Sequence, residues 1–397
     1  MDIVAVLKNY DQTKITIGVL GGHSALDVCA GAKKLGFRTL VVAEKNRQQT
    51  YSKYYRTRPE FAGSSKEKGV VDEVIVVDKF ADIVKPEIQE QLRSMNTIFI
   101  HNRYFWVYCN FPEIETAFNV PILGNRTYVK YEERDASPNQ YEILAQAGIR
   151  TPKILRPGGT KLSETELRKL LDEHFVSNKG GPLIIKAHEA LRSYERAFFV
   201  INREQDYFQI SEEMIKNGST TAEIVETATI EEFILGAQVN FNFFYSPLTE
   251  ELELMGTDMR RQTNLDGFLR LNAKQQSQLL DSGFKPTMVE TGHVACTIKE
   301  SLIEKAYEIG EKFVHTTKEL LAPGIIGPFA LQGAVDSLSG REELVIFDVS
   351  MRIPGSPGTR FTPYTGYLYG ENYSYGDRIA SEVALAIKLG KLDKLVS

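Results

Sequence analysis

Cysteine is scarce in this chain, with three among 397 residues, and tryptophan occurs once. Cys29, Cys109 and Cys296 are odd in number and far apart, which excludes a disulfide framework and the paired spacing of a zinc site. A reducing cytosol, and hence a cytoplasmic location, is the expectation. No stretch approaches the ~20 apolar residues of a membrane span, and the opening MDIVAVLKNYDQTK has no apolar signal core. Basic excess is lacking as well. A net charge of −5 and a pI near 5.9 argue against nucleic acid as a partner, yet leave room for a local basic pocket. Internal repeats and low-complexity segments are also missing.

With 42% hydrophobic and 25% charged residues, the chain has ample material for a core and for two or three domains. ITIGVLGG reads as a buried strand, SALDVCAGAKKLGF as an amphipathic helix and RTLVVA as a second strand. VDEVIVVD, PEIQEQLRSM, NTIFIHN, a helix near Glu113–Phe118 and PILGN continue this rhythm, which predicts a parallel α/β sheet over residues 15–125. The polar stretch Glu44–Gly69 is long for a connection and is expected on the surface. A helix is expected around Glu132–Ala147. Beyond it, PLIIKA and RAFFVIN predict a hairpin, QDYFQISEEMIKNG a helix and AEIVETATIEEFIL a strand. VNFNFFYS, ELELMGTDMRR and FLRLNA predict antiparallel strands, and SLIEKAYEIGEKFVHTTKELL a long amphipathic helix. The rear half is therefore expected to be α+β.

Four places could carry chemistry. GPFALQGAVD and ELVIFDVSMR predict two strands joined by the SLSGRE turn. Alternation puts Asp348, Ser350 and Arg352 on one face, where oxygen ligands and a cation suit Mg²⁺ and a phosphoryl group. Gln332 lies on the partner strand; a half-buried strand with one wet face would show the same pattern. Leu20-Gly21-Gly22-His23-Ser24 forms a strand-to-helix turn. Ser24 there is expected to cap the helix, and His23 to stand where open α/β sheets place ligands. Lys186 closes an apolar strand and could reach phosphate oxygens, with Glu231 and Glu232 lining an adenine slot and Gln238 near a ribose. Finally, Arg260 to Gly267 joins two apolar stretches as a polar turn, with arginines suited to a phosphate monoester and Asn264 to an amide or purine-like edge.

The motifs LGGHS, ILGNR, IIK, IEEFILG, FYSPL, TNLDG, IGPFALQ and IFDVSMR, in that order, resemble the archaeal formate-dependent synthetase family that makes 5-formamidoimidazole-4-carboxamide ribonucleotide. That family belongs to the ATP-grasp enzymes of purine biosynthesis, and the likeness covers nearly the whole chain. It implies an ATP-grasp fold with an N-terminal parallel α/β domain: residues 1–128 for substrate, 129–235 a linker helix and lid, 236–397 the core with nucleotide and metal. It implies a ligase that phosphorylates formate with ATP and passes the formyl group to the 5-amino group of aminoimidazole carboxamide ribotide. By this likeness His23, Ser24, Tyr104, Arg261 and Asn264 face the ribotide, while Lys186, Glu231, Glu232 and Gln238 hold the nucleotide. Gln332 and Asp348 would hold Mg²⁺ or Mn²⁺, and Arg352 would act in catalysis; a homo-oligomer is expected. The chain departs from the family where AHEALRSYERA replaces a glycine-rich flap, leaving Arg192 and Arg196 as side-chain substitutes. It departs again at Asp348, where the family has glutamate, and in the prolines of RIPGSPGTRFTPYTG. A ribotide-binding paralog without ligation, and a ligase for a different acid, stay open as alternatives.

Overall fold

The computed structural model describes residues 3–59, 67–133, 136–186, 198–284, 290–337 and 340–397. The front of the molecule is a parallel sheet of β1 (Thr16–Leu20), β2 (Arg38–Glu44), β3 (Glu73–Val77), β4 (Thr97–Ile100) and β5 (Ile122–Leu123). Their spatial order is β3-β2-β1-β4-β5. Because β1 neighbours both β2 and β4, the connections diverge at its carboxyl end, the position where such sheets open a ligand crevice. β1 is buried along its whole length, which is why it reads as a continuous apolar run. Helix α1 (Ala25–Lys34) follows it, and α2 (Pro86–Ser94) precedes β4.

Two antiparallel sheets form the rear. The smaller has order β8-β7-β9-β6, from β6 (Ile154–Arg156), β7 (Leu183–Lys186), β8 (Phe198–Ile201) and β9 (Thr229–Glu232). Its own apolar cluster is sealed by Leu167 and Leu171 of α4 (Glu164–Asp172) and by Tyr207 of α5 (Glu204–Lys216). The larger has order β12-β11-β10-β13-β14, from β10 (Ala237–Ser246), β11 (Glu251–Gln262), β12 (Glu290–Cys296), β13 (Gly327–Asp336) and β14 (Glu343–Ser350). Helix α8 (Glu300–Leu320) lays Leu302, Ala306, Phe313 and Val314 on that sheet. Burying Phe313 alone contributes about 2–3 kcal/mol.

Three expected elements take another form. The helix expected over Glu132–Ala147 begins only at Gln140, as α3 (Gln140–Gln146), because Asn139 and Glu142 close a capping box after Pro138. AEIVET is a short helix, Ala222–Thr227, whose start is capped by the Thr221 hydroxyl accepting from Ile224 N at 3.3 Å; only Thr229–Glu232 is strand. FLRLNA is not a strand. α6 (Thr263–Phe268) continues directly from β11, and Asn272 caps α7 (Ala273–Asp281) by accepting from Gln275 N at 3.0 Å.

The end of the chain returns to the front sheet. Helix α9 (Tyr375–Leu389) packs on α1, and Ile122 and Ser397 exchange backbone hydrogen bonds of 3.0 and 2.8 Å. The front core accordingly includes Tyr375, Ile379, Val383, Leu395 and Val396. No helix among the described residues is long and apolar enough to cross a membrane.

Candidate active site

The antiparallel pairing of β13 with β14 sets Gln332 directly opposite Asp348, just before a bulge. Gln332 Nε2 donates to Ser350 Oγ at 2.9 Å, so Gln332, Asp348 and Ser350 share this edge, whereas Arg352, the third residue that alternation puts on the face, lies beyond the end of the strand. Arg260, from β11, lays its guanidinium on this edge, donating to Gln332 Oε1 and standing 3.6 Å from Asp348 Oδ2. Its neighbour Arg261 turns away and pairs with Asp266 at 3.1 Å. A strand points successive side chains to opposite faces, so only one arginine of the pair can reach the edge.

Arg352 lies just past β14. Its Nε is 3.5 Å from Glu132 Oε1, an ion pair without a hydrogen bond. Glu132 is buried and also accepts from Met351 N at 2.7 Å and from Arg103 at 3.0 Å. Burial pushes the Arg352 guanidinium below its usual value, while the Glu132 charge opposes the shift.

Lys186 stands on the other wall. It is 5% exposed, pairs with the Glu231 carboxylate, and donates to Tyr141 Oη at 3.2 Å and to the Phe347 carbonyl at 3.3 Å. The Tyr141 hydroxyl, from α3, donates to Glu231 as well. Glu231 therefore turns its carboxylate to the lysine, while Glu232 accepts from Lys153 N at 3.2 Å and Gln238 is exposed at the start of β10. Phe347 precedes Asp348, so the lysine of the small sheet meets the polar edge of the large one.

His23 sits on the loop after β1. Its ring meets Tyr104 edge-on at 5.9 Å, and Tyr104 Oη accepts from Arg47 at 3.3 Å. A Cβ on Gly355 would come within 2.6 Å of His23 Nδ1, so the segment after β14 closes tightly on this loop. Ser24 does not cap α1. With φ at 62° its hydroxyl swings away and donates to the Pro354 carbonyl at 2.7 Å, tying the loop to that segment. His23 is open to solvent but crowded by protein. Desolvation lowers its pKa, Glu290 opposes this, and Arg352, His293 and Arg260 lower it further. Asn264 is half-buried in α6. Arg192 and Arg196 lie outside the described residues.

Sequence reasoning missed Glu290 and His293. Both lie on β12, in ETGHVAC, which has no motif and follows a stretch outside the described residues. His293 Nδ1 faces the Asp258 carboxylate and Nε2 is 2.9 Å from Glu290 Oε1. Desolvation opposes a charge here, but two carboxylates raise the imidazole pKa to about 9, so both nitrogens are protonated at neutral pH. Burial likewise works against Glu290, yet the His293 hydrogen bond and the Arg260 charge hold its carboxyl at about 2.

Among the described residues no three His, Cys, Asp or Glu side chains surround one metal position. The paired oxygens of Gln332 and Asp348 nevertheless fit a hard dication. Mg²⁺ uses one or two protein oxygens and takes its other ligands from phosphates and water.

Residues 17–155 match the family described as "Protein of unknown function (DUF1246)" and residues 206–397 that described as "Domain of unknown function (DUF1297)". A 5-formaminoimidazole-4-carboxamide-1-(beta)-D-ribofuranosyl 5'-monophosphate synthetase of Methanocaldococcus jannaschii is 33% identical, over 100% of this chain and 99% of its own. The synthetase of the same name from Methanobrevibacter smithii is 35% identical over 100% and 98%. The crystal structure of an IMP biosynthesis protein PurP from Thermococcus kodakaraensis superposes with TM-score 0.65 at 25% identity, covering 96% of this chain and 100% of that one. An N5-carboxyaminoimidazole synthetase from Staphylococcus aureus shares the fold, at TM-score 0.57 and 15% identity over 94% and 79% of the two chains.

Proposed function

This chain belongs to the family of 5-formaminoimidazole-4-carboxamide-1-(beta)-D-ribofuranosyl 5'-monophosphate synthetases, ATP-grasp ligases, and from that premise we propose that it formylates 5-aminoimidazole-4-carboxamide ribotide with formate and ATP. Formate is a poor acyl donor, so its oxygen must first take the γ-phosphoryl group of ATP. The ribotide's 5-amino nitrogen then attacks the formyl carbon, a C–N bond forms, the C–O bond to phosphate breaks, and phosphate leaves. Such a reaction asks for positioning and charge neutralisation more than for covalent chemistry by the protein.

The observation that carries this reading is the meeting of Lys186 with β14 at Phe347, beside Asp348. An ammonium for nucleotide phosphates thus adjoins an oxygen edge for a dication and a guanidinium for the transferring group. In this reading Lys186 binds phosphate, with Glu231 and Tyr141 fixing its direction. Gln332 and Asp348 hold Mg²⁺, which would neutralise phosphate charge. Arg352, anchored by Glu132, receives the formyl phosphate, and His23, Ser24, Tyr104 and Asn264 receive the ribotide. Arg261, paired with Asp266, would reach a ribotide phosphate only by exchanging partners.

Incubation with ATP, Mg²⁺, formate and the ribotide tests this by following ADP and the formamido product together. Both should appear in equal amounts and depend on all four components. Ribotide binding by calorimetry with no nucleotide binding and no ADP would replace the ligase with a binding paralog.

A further inference from the structure

Arg260 occupies the edge assigned above to Mg²⁺, and two carboxylates compete for it. One is Asp348, 3.6 Å from its Nη2; the other is Glu290, whose Oε2 is 3.2 Å from its Nε. Glu290 is itself fixed, because its second oxygen, Oε1, is 2.9 Å from His293 Nε2. His293 stands directly opposite Arg260 in the β11–β12 register, and its Nδ1 is held by Asp258. Asp258, 1% exposed, also accepts from Asn240 at 3.0 Å and Asn242 at 2.6 Å. The result is one row of alternating charge: Asp258, His293, Glu290, Arg260, Asp348. In a partly buried row each charge is held by its neighbours, and deleting one changes the balance at the next.

We propose that His293 is a positioning residue that governs whether Arg260 yields the Gln332–Asp348 edge to a divalent cation. A dication arriving at Asp348 repels the guanidinium toward its other carboxylate partner, Glu290, already 3.2 Å from its Nε. His293 keeps that carboxylate oriented to receive it and, by sitting between Glu290 and Asp258, cancels the repulsion between two acids. Without the imidazolium, Glu290 loses its anchor and Arg260 settles on Asp348, competing with the metal. This inference rests on the ligase reading and deepens it at the metal edge.

The test is Mn²⁺ binding, read by electron paramagnetic resonance with a non-hydrolysable ATP analogue present. His293→Gln should weaken Mn²⁺ about tenfold while leaving metal-free nucleotide binding unchanged. Adding Arg260→Gln to that variant should restore the affinity, since the competitor is gone; a merely structural role for His293 predicts no such rescue. Should His293→Gln fail to fold, Asp258→Asn, which keeps the imidazole and its packing, should weaken Mn²⁺ in the same direction. Mn²⁺ affinity indifferent to His293, or no rescue by Arg260→Gln, overturns this inference alone. No Mn²⁺–nucleotide binding by the unaltered protein overturns the ligase reading beneath it.

Discussion

Two histidines of this protein hold opposite protonation states. His101, buried at the end of β4, stacks on Phe105, and its Nε2 has no hydrogen-bond partner. Burial, helped by the Arg352 charge, pushes its pKa to about 4, whereas His293 is raised to about 9. Against an unfolded value near 6.5, His101 contributes stability that is full above about pH 6.5 and lost as pH falls toward 4. His293 does the reverse, contributing fully below about 6.5 and losing its contribution as pH rises through 9. Each is worth up to about 3 kcal/mol. Thermal unfolding followed by circular dichroism should therefore show greatest stability near pH 6.5. His101→Phe should flatten the acid limb between about pH 4 and 6.5 only, and His293→Gln the alkaline limb only. Equal flattening of both limbs by either variant would refute this division. At the metal edge, Asp348→Asn should abolish ADP formation, because a neutral amide is a poor partner for a hard dication. Asp348→Glu should retain it.

The Lys186 ammonium is directed by an element outside its own sheet. The Asn139 cap starts α3 at Gln140, which brings Tyr141 Oη onto both Glu231 and Lys186 and lets Gln140 Oε1 accept from Val349 N at 2.8 Å. Tyr141→Phe should weaken ATP binding about three- to tenfold by calorimetry, the net scale of one ordinary hydrogen bond, with ribotide binding unchanged. Equal loss of both ligands would mean that α3 itself had moved. Much of this was legible in the sequence. The continuous apolar runs of β1 and β13 and the 3.6-residue stripe of α8 mark those elements along the chain, Gln332 and Asp348 ride on the β13–β14 pair, and Lys186 closes the apolar run of β7. What was not legible depended on single caps and on phase. Thr221 and Asn272 turn apolar stretches into helix starts, which a periodicity count over six residues cannot detect. Which of Arg260 and Arg261 faces the edge is set by the phase of β11, and that follows only from its partners. Glu290 and His293 are joined to Asp258 across two strands, a juxtaposition with no trace along the chain.

At the scale of the whole molecule, the crevice stays assembled because the chain end grips its beginning. Helices α1 and α9 cross so closely that a Cβ on Gly31 would lie 2.0 Å from the Gly376 carbonyl carbon, and one on Gly376 1.9 Å from the Asp27 carbonyl oxygen. Both near atoms are backbone, so no side-chain rotation can relieve the clash. The contact is reinforced by Gly376 N donating to the Asp27 carboxylate at 2.9 Å and by Lys34 reaching Asp377 at 2.5 Å. From there the chain runs back through the Pro354–Gly355 segment, which holds Ser24 and abuts His23. Displacing α9 should thus loosen the ribotide side first, while Lys186 and its partners Glu231 and Tyr141, on the small sheet and α3, are spared. Gly376→Ala should cost about 3 kcal/mol or more, through overpacking against rigid backbone, and should expose the chain near residue 374 to limited proteolysis. In the same variant the Kd for the ribotide should rise while that for ATP stays within about twofold, a difference well under 1 kcal/mol. If both affinities fell together, the grip of α9 on α1 would serve stability in general and not the alignment of His23 with the large sheet.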